Sequence, residues 1–215
     1  MTVTAKICGV NSPHAMAAAI ACGAAFVGLV FYPPSPRYIS PERAAELVAN
    51  VPRSVARVGL MVDLDDRAIE AILARAPLDL LQLHGAETPE RVRAIKSRFG
   101  LPAMKAVKIA SADDLGVAER FLGSVDRLLF DAKPPPTMTT ALPGGNALAF
   151  DWRLLGGKRW PLPWMLSGGL NALNVAEAVR ASGASEVDVS SGVEDRPGHK
   201  DPAKIARFLE VVRGL

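Results

Sequence analysis

Lys6-Ile7-Cys8-Gly9 ends the first apolar run of this 215-residue chain, at a point where a parallel strand gives way to a loop. The pattern that begins there repeats along the chain. Strands are predicted over residues 5–10, 25–32, 55–62, 78–84, 103–109, 127–132, 164–167 and 186–190. Helices are predicted over 13–22, 41–50, 65–75, 88–99, 111–121, 172–182 and 202–213, with a short helical turn at 151–155. Ser40-Pro41-Glu42 and Thr88-Pro89-Glu90 read as helix starts, a capping hydroxyl followed by proline at the first helical position. Ser111 stands three residues before Asp114 in the same manner. Strands separated by helices must pair in parallel through right-handed crossovers. Near-continuous apolar runs suit strands buried on both faces. Eight strand–helix units in this length point to an α/β single-domain (β/α)8 TIM barrel over residues 1–215. An open doubly wound sheet is the alternative. It would hold roughly five to seven strands, and no Gly-x-Gly-x-x-Gly follows the first one.

Composition narrows the partners. Apolar residues are 49% and charged residues 22%, so a large core is available without a disulfide staple. The net charge of +3 is spread without a basic run, and aromatics are only 6%, which disfavours nucleic acid and suits a small anionic substrate. The uncharged stretch 15–32 has the length of a membrane span. It is rich in Ala and Gly and divided at Gly23, so it reads as a small-residue helix followed by a buried strand. Two cysteines and no secretory signal indicate a reducing, cytoplasmic setting. No membrane partner is expected.

In such a barrel the chemistry sits at the C-terminal strand ends and the loops that follow. That rule selects Cys8, Arg37, Asp63, His84, Lys108, Asp131, Ser167-Gly168-Gly169 and Asp188-Val189-Ser190-Ser191-Gly192. Small residues after strands seven and eight let backbone N–H groups approach an anion, so Gly168, Gly169, Ser191 and Gly192 are candidate phosphate binders. The other reading of these glycines is a pair of tight turns. Asp131 ends an apolar strand, where a carboxylate is costly unless used or paired; a turn aspartate is the competing reading. His84 is either a site residue or a satisfied structural histidine. Arg37 follows three prolines and is either a bidentate carboxylate clamp or a solvated loop charge. Asp63 is explained by helix capping, and Lys108 by a place on the rim. His14, His84 and His199 form no metal-ligand spacing, so neither metal nor dinucleotide cofactor is expected.

Taken together, the chain resembles the phosphoribosylanthranilate isomerase family of tryptophan biosynthesis nearly end to end. The stretches that carry the resemblance are Lys6-Ile7-Cys8-Gly9, the segment from Phe31 to Arg37, Leu81-Gln82-Leu83-His84-Gly85, Leu129-Phe130-Asp131, Gly144-Gly145 with Phe150-Asp151-Trp152, Leu166-Ser167-Gly168-Gly169-Leu170, the segment from Asp188 to Glu194, and Gly198-His199-Lys200-Asp201. The resemblance implies an Amadori rearrangement of N-(5-phosphoribosyl)anthranilate without a cofactor. It implies Cys8 as general base and Asp131 as general acid. It places Arg37 at the anthranilate carboxylate, Gly169, Ser191 and Gly192 at the phosphate, and His84 and Asp188 as supporting substrate-binding positions. Oligomeric state is left open, with a monomer favoured.

Two departures bear on the sixth loop, predicted over 133–149. Ala147 stands where the family usually has a further glycine, so a positive φ there would cost energy. Pro134-Pro135-Pro136 would stiffen the loop's approach. Other phosphate-binding barrels are the competing functions. A two-aspartate isomerase would need an acid where Cys8 stands, an indole-glycerol-phosphate synthase a fuller lysine set than Lys6 and Lys108, and a non-catalytic barrel neither Cys8 nor Asp131.

Overall fold

A computed structural model describes residues 2–139 and 142–215. Eight strands form a closed barrel in sequence order: β1 (Thr4–Cys8), β2 (Phe26–Val30), β3 (Ala56–Met61), β4 (Leu80–Leu83), β5 (Ala103–Ile109), β6 (Arg127–Ala132), β7 (Trp164–Leu166) and β8 (Glu186–Val189). Every neighbouring pair is parallel, and β8 closes on β1 with Lys6 opposite Asp188. The helices are α1 (Pro13–Ala21), α2 (Pro41–Val48), α3 (Asp66–Leu73), α4 (Pro89–Phe99), α5 (Leu115–Glu119), α6 (Val175–Ser182) and α7 (Pro202–Arg213). None among the described residues is long and apolar enough to cross a membrane.

Local chemistry starts the helices where expected. Ser12, Ser40 and Thr88 accept from backbone N–H groups three residues on, and α1, α2, α4 and α7 each begin with proline. One strand parity carries the outer core. Ile7, Leu29, Met61, Leu81, Val107, Phe130 and Val189 pack with Ile69, Val92 and Phe208 from the helices. The opposite parity fills the barrel. Val58, Leu80, Met104, Ala106, Leu129 and Met165 form an apolar interior cluster. Higher in the barrel the interior turns polar, with Lys6, Gln82 and Asp188 all buried.

The short helical turn expected at 151–155 is present as a 3-10 turn at Trp152–Leu154, and the sixth crossover contains no α-helix among its described residues. Four prolines and two glycines between β6 and that turn remove donors and helix propensity. Thr140 and Ala141 of this loop lie outside the described residues. The helix expected at 111–121 splits into a 3-10 turn, Ala112–Asp114, closed by a Ser111–Asp114 capping box, and the short α5. The helix expected at 172–182 starts only at Val175, because Asn174 turns its side chain back onto the Asn171 amide. Asp63 caps no helix. It takes a positive φ of 50° and accepts from Ala86 N at 2.7 Å, while Asp65 caps α3.

After β8 the chain makes a feature the apolar pattern did not predict. A 3-10 turn at Ser191–Val193 leads into an antiparallel pair, β9 (Glu194–Arg196) and β10 (His199–Lys200). Pro197-Gly198 joins them, with Gly198 at φ 82°. A β-carbon there would lie 2.2 Å from Pro36 O, so glycine lets this hairpin seat against the second loop.

Candidate active site

The mouth of the barrel holds a cavity. Cys8, Arg37, His84, Asp131, Gly168, Gly169, Asp188 and Ser191 all line it. Residues 142–148 of the sixth loop form its roof. Of the residues singled out above, Gly192 is set behind the wall, where a β-carbon would lie 1.9 Å from Leu170 O. Lys108 is on the wall of a neighbouring cleft, beside Lys105 and Glu87.

On one side of the mouth stands Cys8, buried at the end of β1. Lys6 points into the barrel from the same strand, two residues deeper. Its Nζ donates to Asp188 Oδ1 at 2.8 Å, and Ser167 Oγ donates to Asp188 Oδ2 at 3.1 Å. Gly28 is the register partner of Cys8 on β2. A β-carbon at Gly28 would stand 3.0 Å from Lys6 Nζ and 3.1 Å from Cys8 Sγ, so lysine and thiol flank one gap. Burial pushes the Cys8 thiol up; Lys6 opposes this, Asp188 adds to it and Lys200 opposes it. Burial also acts to lower the Lys6 ammonium, but Asp188 and Cys8 outweigh it and hold it above the usual lysine range.

Across the cavity stands Asp131 at the end of β6. Its Oδ2 lies 3.3 Å from His84 Nε2, and its Oδ1 accepts from Ala132 N at 2.9 Å. His84 Nδ1 faces Gln82 Nε2 at 2.9 Å, so with the amide in this orientation Nδ1 accepts and Nε2–H points at Asp131. Gln82 is wholly buried and its Oε1 has no partner among the described residues.

Arg37 is held rather than free. Its Nε and Nη2 each donate to Glu194 at 2.8 Å, and Nη2 also reaches Gly145 O at 3.2 Å. Lys200 Nζ binds the same glutamate and the Ser190 carbonyl. Both ion-pair partners of Glu194 are buried. Burial lowers Lys200 below the ordinary lysine range, with Glu194 opposing. Gly9 makes room for Arg37, since a β-carbon there would lie 2.8 Å from Arg37 Cδ.

The remaining wall is backbone. The amides of Gly168, Gly169, Ser191 and Gly192 meet no acceptor among the described residues. Gly168 and Gly169 have positive φ, 90° and 64°, which turns the chain sharply at the end of β7. The sixth loop seats on this turn, with Leu148 C 2.8 Å from where a Gly169 β-carbon would be. Ala147 in that loop does adopt a positive φ, 56°. Among the described residues no cluster of three His, Cys, Asp or Glu could hold a metal.

Fold and mouth together are those of a (β/α)8-barrel enzyme. The chain belongs to the N-(5'-phosphoribosyl)anthranilate isomerase family, whose model matches residues 5–211. It is 61% identical over 215 residues to the N-(5'-phosphoribosyl)anthranilate isomerase of Rhodospirillum centenum, covering 100% of both chains. It is 58% identical to that of Paramagnetospirillum magneticum, covering 100% of this chain and 99% of the other. Among solved structures it superposes on phosphoribosyl anthranilate isomerase from Thermotoga maritima with a TM-score of 0.88, 36% identity and coverage of 99% and 100%. It also matches, at TM-score 0.83, 34% identity and coverage of 99% and 100%, a phosphoribosyl anthranilate isomerase solved with reduced 1-(o-carboxyphenylamino)-1-deoxyribulose 5-phosphate.

Sequence reasoning gave Gln82, Glu194 and Lys200 no role, placed Ser167 only in the loop after strand seven, and weighed Lys6 only as part of a lysine set. Gln82, Glu194 and Lys200 lay inside the stretches that carried the family resemblance. What was lacking was the pairing that only closure of the barrel brings about.

Proposed function

We propose that this enzyme converts N-(5-phosphoribosyl)anthranilate into 1-(2-carboxyphenylamino)-1-deoxyribulose 5-phosphate in tryptophan biosynthesis, with Cys8 as general base and Asp131 as general acid. The observation that carries the reading is that Cys8 and Asp131 face one cavity together with Arg37 and with Gly168, Gly169 and Ser191, whose amides are free. The amides of Gly168, Gly169, Ser191 and Gly192 would hold the phosphate without a counter-charge of their own. Arg37, its fork pinned by Glu194, would offer Nη1 to the anthranilate carboxylate.

Asp131 gives its proton to the ring oxygen, and the furanose opens to a Schiff base. The carboxylate left behind is met by His84 Nε2–H and Ala132 N–H, so the charge forms where donors already stand. Cys8, as thiolate, then takes the C2 proton. The enolamine that results tautomerises to the ketone. Removing a proton beside an imine needs a correctly placed base more than a strong one. The chain is read as a cytoplasmic monomer that needs no cofactor. Among the described residues the exposed large apolar side chains, Tyr38, Val117, Leu173 and Leu215, come from separate parts of the chain and suggest no extended sticky face. The Thermotoga maritima relative is described as dimeric.

The test is the fluorescence of the anthranilate-derived substrate, which is expected to fall as purified enzyme turns it over. Tight binding with no turnover would instead make this a binding protein. Asp131→Asn is expected to fail before C2 deprotonation; C2 exchange with solvent at the wild-type rate would remove Asp131 from ring opening.

A further inference from the structure

Cys8 presents a difficulty that its own surroundings create. A free thiol is only a few per cent ionised at neutrality, and burial disfavours the thiolate further. A base in that position needs a cation, and the cation must not be free to leave. Six other charged or titratable side chains approach Cys8: Lys6 on its own strand, Asp188 on β8, Lys200 on β10, Asp131 and His84 across the mouth, and Arg37 from the second loop. Tyr32 adds a phenol to the same lining, beside several serines and Asn146. Arg37 and Lys200 both have Glu194 as their counter-ion. Lys6 is different. It is fully buried, it sits beneath the thiol, and its chain is long enough to bring Nζ up to the level of Cys8.

We infer that Lys6, lying in the gap left by Gly28 and tethered by Asp188, is the positioning residue that holds the Cys8 thiolate. Gly28 matters because any side chain would separate the two groups: a β-carbon would stand 3.0 Å from one and 3.1 Å from the other. Asp188 fixes Nζ through Oδ1, and Ser167 fixes Asp188 through Oδ2. The arrangement therefore has a hierarchy. Asp188 fixes where Lys6 sits, the two groups flanking it, Asp188 and the Cys8 sulfur, keep it charged against its burial, and Lys6 in turn favours the anionic form of the sulfur. During turnover the Cys8 thiolate takes the substrate's C2 proton and becomes a thiol, while Lys6 keeps its own proton throughout. Lys6 takes no proton and acts on the substrate only through Cys8. The same electrostatics account for the direction of each influence on Cys8, with Lys6 the largest opponent of burial and Asp188 working against it.

This inference rests on Cys8 being the base, but it can be measured without turnover. In a Cys22→Ser background the chain has a single thiol. Its ionisation is followed by thiolate ultraviolet absorbance and by the rate of iodoacetamide alkylation against pH. Lys6→Met is expected to move the midpoint upward by about one pH unit or more, at least tenfold less thiolate at fixed pH. Asp188→Asn is expected to move it downward, because it removes the anion and leaves the cation. The double variant Lys6→Met/Asp188→Asn buries no unpaired charge, so it keeps the fold if the single lysine variant does not. Its midpoint is expected to stay above that of the wild type. A merely structural lysine would leave the midpoint unchanged, or would move it the same way in both single variants; either result overturns the inference. Failure of the underlying reading looks different: Cys8→Ala would keep turning over while the titration shifts persisted.

Discussion

The two sides of the mouth solve the same problem with different materials. The Cys8 side is built on a buried ion pair, Lys6 with Asp188, with Ser167 as its outer support. The Asp131 side is built on a relay of side chains, Gln82 to His84, that ends in a hydrogen bond. A thiol must be helped to become an anion, and a full charge nearby does that best. A carboxylic acid must give up a proton at the right moment, and for that a donor waiting for the resulting charge is enough. Base and acid thus differ in what lies behind them more than in how they face the cavity.

The comparison is broken most severely by removing one of its ends. Loss of the Asp131 acid in Asp131→Asn is expected to lower kcat on the order of 10²- to 10⁴-fold, the usual worth of a placed general acid. A smaller but broad effect is expected at the clamp that joins neither side. Glu194→Gln leaves Arg37 and Lys200 buried together with one neutral partner, and should cost about 3 kcal/mol of stability. It should also raise KM more than it lowers kcat, since Arg37 is proposed to bind rather than react; chemical denaturation and steady-state kinetics read both. The pH dependence follows in sign. Although burial alone would raise Glu194, Arg37 and Lys200 hold its carboxyl below the ordinary glutamate value of 4.5. A depressed folded value means the stabilisation is present above the ordinary value and is lost as pH falls through the folded one. Stability measured from neutrality downward should therefore fall less steeply below pH 4.5 in Glu194→Gln than in the parent.

Finer effects separate the relay from the ion pair. Gln82→Met keeps the volume but removes the partner of His84 Nδ1. About tenfold in kcat is expected, the order of one buried hydrogen bond, with the Cys8 titration left in place. The smallest effect is expected at the roof. Ala147→Gly relieves a left-handed backbone at φ 56° and should add about 1 kcal/mol of stability at most, with turnover little altered.

The two sides were also unequally legible. Cys8 and Asp131 could be read from sequence because a strand's last residue is a positional statement, and eight apolar runs made that position meaningful. β5, β6 and α7 fell at the expected residues for the same reason: each has a sharp chemical boundary, whether proline, glycine or charge. Lys6 was visible only as a lysine near the strand end. Period two places it on the Cys8 face, but only the length of its side chain and the empty site at Gly28 on the neighbouring strand bring Nζ beside the thiol. Glu194 and Lys200 were hidden differently. Their hairpin has too few residues to show a pattern, and only its seat against Pro36 brings Glu194 to Arg37. The sixth loop was rightly expected to be irregular, and its cost at Ala147 was foreseen. Its role as a roof over His84 and Asp131 depends on packing that no local signal carries.

The central claim, that Cys8 takes the C2 proton while Asp131 serves the ring oxygen, is tested most directly by turnover of Cys8→Ala with product binding measured on the same protein. The account predicts that turnover falls on the order of 10³-fold or more while product still binds with near-parental affinity. Near-normal turnover in Cys8→Ala would contradict it.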